Sequence, residues 1–139
     1  MDIDPEDLPL GFLLNTVGDI LRSETQTRMT GAALGVVELG ILWLIDLAPN
    51  HRQAEYARFQ RYDVSTYGRY IDKLEAKGFV ARHSVADDRR AHALALTEAG
   101  RQALAEGKAR ALAAERAVIG ELAGEAQLRA ALTELLRRP

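Results

Sequence analysis

The spacing of apolar residues changes twice along the middle of this chain, and this change restricts its fold more than any other feature. Residues 52–77 follow the three- and four-residue steps of short amphipathic helices. Residues 79–85 and 91–96 alternate like two half-buried strands, and the charged residues 86–90 between them predict a hairpin tip. The helical spacing then returns from Thr97. This order predicts a mainly α fold with one small β-hairpin.

Further helices are predicted on both sides of this segment. Together the predicted helices cover residues 10–24, 36–47, 52–61, 65–77, 97–122 and 127–138. The second of them is apolar on nearly all sides and should be buried. Ser65 is the predicted N-cap of the fourth helix, and Gly78 suits the left-handed position just past its end. Thr97 is the predicted cap of the long fifth helix.

The composition limits the class of protein. With 139 residues, 47% of them hydrophobic and 27% charged, the chain is expected to fold as one domain over residues 1–139 rather than to be disordered. The absence of cysteine excludes disulfides, thiolate metal sites and cysteine nucleophiles. The acidic start does not resemble a secretion signal, and the most apolar window, residues 31–48, contains two carboxylates. We therefore expect a cytoplasmic protein with no membrane partner.

The charge is distributed unevenly along the chain. Residues 1–50 contain two basic and eight acidic residues, whereas residues 51–92 contain nine basic and six acidic residues. A basic segment on an acidic chain suits a polyanionic partner, although such a segment is often only a solvated face.

A helix pair followed by a hairpin predicts a winged helix-turn-helix, and its polar residues suit DNA. The polar residues at the start and along one face of the fourth helix are Ser65, Thr66, Arg69 and Lys73. Arg69 can donate two hydrogen bonds to guanine, and Lys73 can reach guanine or phosphate. Ser65, Thr66 and the helix N-terminus suit a phosphate oxygen. The sequence leaves open whether Tyr67 and Tyr70 pack inward or contact the DNA backbone.

The charged hairpin tip strengthens this interpretation. Arg89 and Arg90 are placed to enter a neighbouring minor groove, where negative potential is concentrated. Asp87 and Asp88 would repel phosphates, but one of them is explained if it pairs with Arg90 and orients its guanidinium group.

Three segments resemble the MarR family of bacterial transcriptional regulators. They are residues 63–82, which include a Leu-Glu-x-x-Gly end of the recognition helix, then Asp88-Arg-Arg-Ala91 and Leu96-Thr-Glu-Ala-Gly100. The resemblance implies a winged helix-turn-helix lobe over residues 34–97 and dimerisation helices over 1–33 and 98–139. It implies a homodimer that reads a roughly palindromic double-stranded operator, most often as a repressor.

By position, the resemblance assigns recognition-helix roles to Ser65, Thr66 and Arg69, and wing roles to Asp88 and Arg90. Gly68 departs from the family, which usually has a small hydroxyl or a larger residue there. Tyr67 occupies a position that is often aliphatic, which suggests an altered base preference. The many apolar residues of the terminal helices independently favour a dimer over a monomer that folds its last helix back on itself.

Members of this family commonly sense small molecules, often phenolic or anionic, between the dimer body and the DNA-binding lobes. The residues that we expect to line such a cleft are Asn15, Trp43, His51 and Arg52. Trp43 offers a stacking surface and Arg52 an anion clamp. Each also has a plainer interpretation, since Trp43 suits the core, and His51 and Arg52 suit the surface or the DNA backbone.

Other classes of protein fit less well. His83 and His92 are expected to be cross-strand neighbours, which suits an exposed sheet edge better than a metal site or a pH switch. The sequence contains no nucleophile elbow, phosphate-binding glycine loop or zinc-protease motif. We therefore expect neither an enzyme nor a cofactor. The main alternative is a helical protein-interaction module, in which Arg69 and Arg90 could be replaced without effect on DNA binding.

Overall fold

The computed structural model describes residues 1–85 and 88–139, and for residues 88–91 it describes the backbone only. A short 3-10 helix, Pro5–Asp7, precedes the main elements. These are α1 (Leu10–Arg28), α2 (Val36–Leu47), α3 (Gln53–Phe59), α4 (Val64–Ala76), β1 (Val80–Val85), β2 (Asp88–Leu96), α5 (Glu98–Ile119) and α6 (Glu125–Arg137). The expected mainly helical fold with one antiparallel hairpin is confirmed.

The core lies between α2, α4 and the hairpin. Its fully buried large side chains are Ile41, Leu42, Ile45, Tyr67, Ile71, Leu74, Val80 and Leu94. Each buried side chain of this size stabilises the fold by roughly 1.5–3 kcal/mol. Helix α2 supplies three of them and has the bounds that its apolar run predicts. The helix-turn-helix therefore packs on this buried core, which holds α4 in a defined position.

The start of α4 differs from the prediction, because Asp63 and not Ser65 is the N-cap. The Asp63 carboxylate accepts hydrogen bonds from the backbone N–H of Thr66 at 2.9 Å and from the Ser65 hydroxyl at 2.8 Å. A carboxylate is at least as good a cap as a hydroxyl, so the helix begins as soon as this acceptor is available. The other end agrees with the prediction, since Gly78 follows the C-cap Lys77 with a φ of +77°.

The register of the hairpin corrects a second expectation. His83 lies opposite Ala93, and His92 lies opposite Ser84. Because neighbouring residues of a strand point to opposite faces, the two histidines are on different faces of the sheet and are not cross-strand neighbours. An additional bridge between Arg52 and Ala93 attaches the start of α3 to the hairpin.

The junction between the hairpin and α5 is tightly packed around Thr97. Its hydroxyl accepts a hydrogen bond from the Gly100 N–H at 3.0 Å and donates one to the Gly78 carbonyl at 2.6 Å. Its own N–H donates to the Phe79 carbonyl at 3.1 Å. A Cβ atom at Gly100 would lie 2.1 Å from that same carbonyl oxygen. Thr97 therefore caps α5 as predicted, and Gly100 lets α5 approach the turn after α4.

The terminal helices leave large apolar faces uncovered in the single chain. The exposed apolar residues of these two helices are Leu10, Phe12, Leu14, Val17, Ile20, Leu128, Leu132, Leu135 and Leu136. Within the described residues, α1 buries only Thr25 and α6 buries none. Among the same residues, no helix combines the length and the apolar character needed to cross a bilayer.

Candidate DNA-binding surface

The turn between α3 and α4 is held in place by a buried tyrosine. Tyr67 is fully buried, and its hydroxyl donates to the side-chain oxygen of Gln60 at 2.7 Å. This burial raises the pKa of Tyr67. Arg61 adopts a left-handed φ of +59°, which turns the chain sharply between the two helices.

The structure thereby settles the question about the two tyrosines. Tyr67 packs inward and cannot contact a base, so the suggestion that it alters base preference is wrong. Tyr70 is half-buried, and its ring meets Tyr62 edge-on with the centroids 6.3 Å apart. Tyr70, itself a residue of α4, thus contacts Tyr62 and remains partly accessible.

Three of the predicted recognition residues are brought together on this face. Thr66, Arg69 and Lys73 line one shallow surface depression of about 170 Å³, together with Tyr70. The side chains of Arg69 and Lys73 are exposed. The Lys73 ammonium lies 5.9 Å from the centre of the Tyr70 ring. The arrangement presents two cations and one hydroxyl on a single helical face, which suits the edge of a nucleic-acid groove.

Ser65 is placed differently from the other three. It is exposed in the first turn of α4, and its hydroxyl donates to the Asp63 carboxylate. That carboxylate also occupies the N–H of Thr66. Hydrogen bonds from Thr66 and from Ser65 lower the pKa of Asp63 to about 2, so it is negatively charged at neutral pH. The amide of Thr66 is therefore not free for a phosphate, contrary to the expectation for this N-terminus.

The predicted wing residues Asp88, Arg89 and Arg90 belong to the backbone of β2, but their side chains lie outside the described residues. Asp87 lies outside them altogether. The roles of these residues in DNA binding stay predictions.

An arginine on the wing strand forms a cluster that the sequence analysis missed. Arg82 of β1 donates from Nη2 to Asp72 Oδ1 at 2.7 Å and from Nη1 to Glu75 Oε1 at 3.0 Å. Both carboxylates belong to α4. Nη2 also donates to the side-chain oxygen of Gln53 in α3, at 3.2 Å. One guanidinium group therefore joins the wing strand to both helices of the helix-turn-helix.

The four predicted ligand-binding residues are not brought together into one cavity. Trp43 and His51 line two separate depressions, of about 350 and 470 Å³, which share Leu44, Leu47 and Phe59. The Trp43 ring is also covered by the Lys108 ammonium, 4.9 Å from its centre. Asn15 and Arg52 are exposed and line neither depression.

A larger concavity of about 540 Å³ lies elsewhere, where α1 meets α2 and α4. Arg22 and Gln26 of α1 line one side of it, and the rings of Tyr62 and Tyr70 line another. The residues of this site come from four separated segments, so no local pattern in the sequence predicts it. Its wall is shared with α4, which bears the predicted recognition residues.

Comparisons with known proteins agree with this fold and its surface. A sequence profile described as the MarR family matches residues 35–92. An HTH-type transcriptional repressor of Mycobacterium tuberculosis is 30% identical over 122 residues, and the match covers 88% of each chain. A MarR family protein of Mycobacterium tuberculosis, solved in complex with salicylic acid, is 29% identical with a TM-score of 0.75, and the match covers 93% of this chain and 97% of that one.

A second regulator has been solved in two relevant states. CouR from Rhodococcus jostii RHA1, bound to p-coumaroyl-CoA, is 26% identical with a TM-score of 0.83 over 98% of this chain and 96% of that one. The repressor CouR bound to a 23-mer DNA duplex is 26% identical with a TM-score of 0.80, over 97% of this chain and 96% of that one. With this agreement in sequence and in fold, the chain belongs to the MarR family of transcriptional regulators.

Proposed function

We propose that this protein is a sequence-specific double-stranded DNA-binding repressor that acts as a homodimer in the cytoplasm and is released by a small ligand. One observation carries the proposal. On a capped helix α4 whose opposite face is buried, Thr66, Arg69 and Lys73 share one exposed depression. Its mycobacterial relative is named a transcriptional repressor, which supports regulation rather than catalysis.

In the proposed complex, α4 enters the major groove. The Arg69 guanidinium donates two hydrogen bonds to a guanine, and Lys73 binds guanine or phosphate. The Thr66 hydroxyl binds a phosphate oxygen, and the Ser65 hydroxyl has to leave the Asp63 carboxylate before it can bind another. In the neighbouring minor groove we place Arg89 and Arg90, with Asp88 orienting Arg90.

The dimer is proposed from the uncovered apolar faces of α1 and α6. Side chains such as Phe12, Ile20 and Leu135 are about half exposed in the single chain, and a monomer would leave them in water. A two-fold dimer would place its recognition helices on half-sites roughly 34–36 Å apart, which explains a palindromic operator.

The ligand is proposed to be a small phenolic or anionic molecule. Two relatives were solved with salicylic acid and p-coumaroyl-CoA, which carry an aromatic ring or an anionic group. In this chain the 540 Å³ concavity is lined by Arg22, whose guanidinium also donates to Asp19 at 2.9 Å, and by Tyr62 and Tyr70. The second proposed location is the pair of neighbouring depressions that Trp43 and His51 line; Asn15 and Arg52 line neither of them. A ligand that favours a spacing between α1 and α4 at which the DNA-binding lobes no longer match the groove lowers DNA affinity by shifting that equilibrium.

Binding can be tested in two steps. A selection from random duplexes by the wild type yields an enriched site, called here the selected duplex. Fluorescence anisotropy then compares the wild type, Arg69→Ala and Arg116→Ala on that duplex, with excess unrelated DNA at about 150 mM salt, near physiological ionic strength. Arg116 is an exposed arginine near the end of α5, so its removal matches the change in charge.

We expect Arg69→Ala to bind more weakly by about 1–3 kcal/mol and Arg116→Ala to bind like the wild type. Failure of the wild type to enrich any duplex would reject sequence-specific binding. Equal losses in both variants would show that only net charge matters.

A further inference from the structure

Asp72 lies where its carboxylate can compete with a DNA base for the Arg69 guanidinium group. The two residues are three apart on α4, so their side chains are neighbours on the exposed face. A carboxylate there can accept the same pair of hydrogen bonds that Arg69 would give to a guanine. Glu75 cannot compete for Arg69 in this way, because it lies about 1.7 turns beyond Arg69 along the helix.

In the structure Asp72 is occupied by another partner. Its carboxylate accepts from Arg82 Nη2 at 2.7 Å, and the Arg82 side chain is only 25% exposed, against 67% for Asp72. Within the part of the chain that the structure describes, Arg69 has no ion pair and lines the depression with Thr66 and Lys73. On the same helix, the Asp72 carboxylate is therefore paired, whereas the Arg69 guanidinium is available to a partner outside the chain.

We propose that Arg82 is a positioning residue, which holds Asp72 away from Arg69 and so keeps Arg69 available for a base. The inference rests on the proposed function, in which Arg69 reads the DNA. Without Arg82, Asp72 pairs with Arg69 in the free protein, and this pair has to break before DNA binds. Asp72 would in addition face the phosphates with an uncompensated negative charge.

Gly68 contributes to the same arrangement. A Cβ atom at this position would lie 2.9 Å from the side-chain nitrogen of Gln53, so glycine leaves room for that amide. The oxygen of the same amide accepts the third hydrogen bond from Arg82. The departure from the family at Gly68 therefore accommodates the side chain that helps to hold the Arg82 guanidinium in place.

A double-mutant cycle tests the proposal on the selected duplex, with anisotropy measured in excess unrelated DNA. We expect Arg82→Gln to bind roughly 3- to 10-fold more weakly. Asp72 then pairs with Arg69 in place of Arg82, and its negative charge is exposed to the phosphates. Adding Asp72→Asn should restore affinity to within about twofold of Asp72→Asn alone. Adding Glu75→Gln removes the same charge at a position out of reach of Arg69, and should not restore it.

Three results would overturn the proposal. They are wild-type affinity in Arg82→Gln, no rescue by Asp72→Asn, or an equal rescue by Glu75→Gln. Thermal unfolding of each variant shows whether it is folded. If Arg82→Gln does not fold, Asp72→Glu in the wild-type background tests the same competition for Arg69. The longer carboxylate should leave Arg82, pair with Arg69 and so weaken DNA binding.

Arg69→Ala, measured in parallel, separates this proposal from the proposed function. Wild-type binding by Arg69→Ala would refute base reading by Arg69 and, with it, the role of Arg82. A loss in Arg69→Ala combined with an unchanged Arg82→Gln would refute the role of Arg82 alone.

Discussion

Replacing Gly100 by alanine should destabilise the protein through one close contact. The new Cβ would lie 2.1 Å from the Phe79 carbonyl oxygen, whereas ordinary contacts of a Cβ begin at 3.4 Å. The start of α5 must therefore move by more than 1 Å away from the turn after α4. That movement strains the Thr97 hydrogen bonds to the Gly78 and Phe79 carbonyls, now 2.6 and 3.1 Å long.

The expected cost combines two effects. Overpacking costs about 1–3 kcal/mol, and weakening two hydrogen bonds adds about 1 kcal/mol or more. A total of roughly 2–4 kcal/mol corresponds to a fall in Tm of roughly 6–14 °C for a chain of this size.

The assay is thermal unfolding followed by circular dichroism at fixed protein concentration. Gly40→Ala is the matched control, because it lies in α2, outside the proposed dimer interface, and its Cβ would meet only the Gln60 side chain, at an ordinary 3.6 Å. We expect its Tm to stay unchanged or to rise. A Tm for Gly100→Ala within about 2 °C of the wild type would refute the argument from this contact, since that shift is below 1 kcal/mol.

Three further predictions concern the wing, the cap and the dimer. Arg90→Ala should weaken binding to all duplexes and reduce the salt dependence of binding, and a wild-type affinity at about 150 mM salt would exclude the wing contact. Asp63→Ala should lower Tm at pH 7, because the folded state holds the Asp63 pKa at about 2, below the ordinary 3.8. This stabilisation is present above the ordinary pKa of 3.8 and is lost as the pH falls through the pKa of the folded state, about 2. The difference in Tm between the wild type and Asp63→Ala should therefore shrink over this range, and a constant difference would contradict the prediction. Leu132→Glu, on the uncovered face of α6, should shift the protein toward a monomer in light scattering, whereas an unchanged dimer would contradict the proposed interface.

Local patterns predicted the elements that depend on local chemistry. The apolar run of α2 gave its bounds, Gly78 marked the end of α4, and Thr97 marked the start of α5. The assignment of the cap of α4 to Ser65 was wrong because two good capping residues lie two positions apart. Only the backbone shows that Asp63 is the one with an extended conformation before the first turn.

Features that depend on contacts distant in sequence could not be predicted. Whether His83 and His92 lie on the same face of the sheet depends on the strand register, because a shift of one residue moves a side chain to the other face. The hydrogen bonds of Arg82 reach ten residues back to the Asp72 carboxylate and 29 residues back to the Gln53 amide. The spacing of Tyr67 with Ile71 and Leu74 fits the buried face of α4, but the partner of its hydroxyl, Gln60, is not specified by the helical period.

The most direct test of DNA reading by α4 is a pair of parallel selections from random duplexes, one with the wild type and one with Arg69→Ala. We predict that the wild type enriches a palindromic site and that Arg69→Ala loses the preference at one guanine in each half-site while keeping the remaining positions. Identical base preferences in the two selections would contradict the assignment of Arg69 as a reader of the DNA sequence.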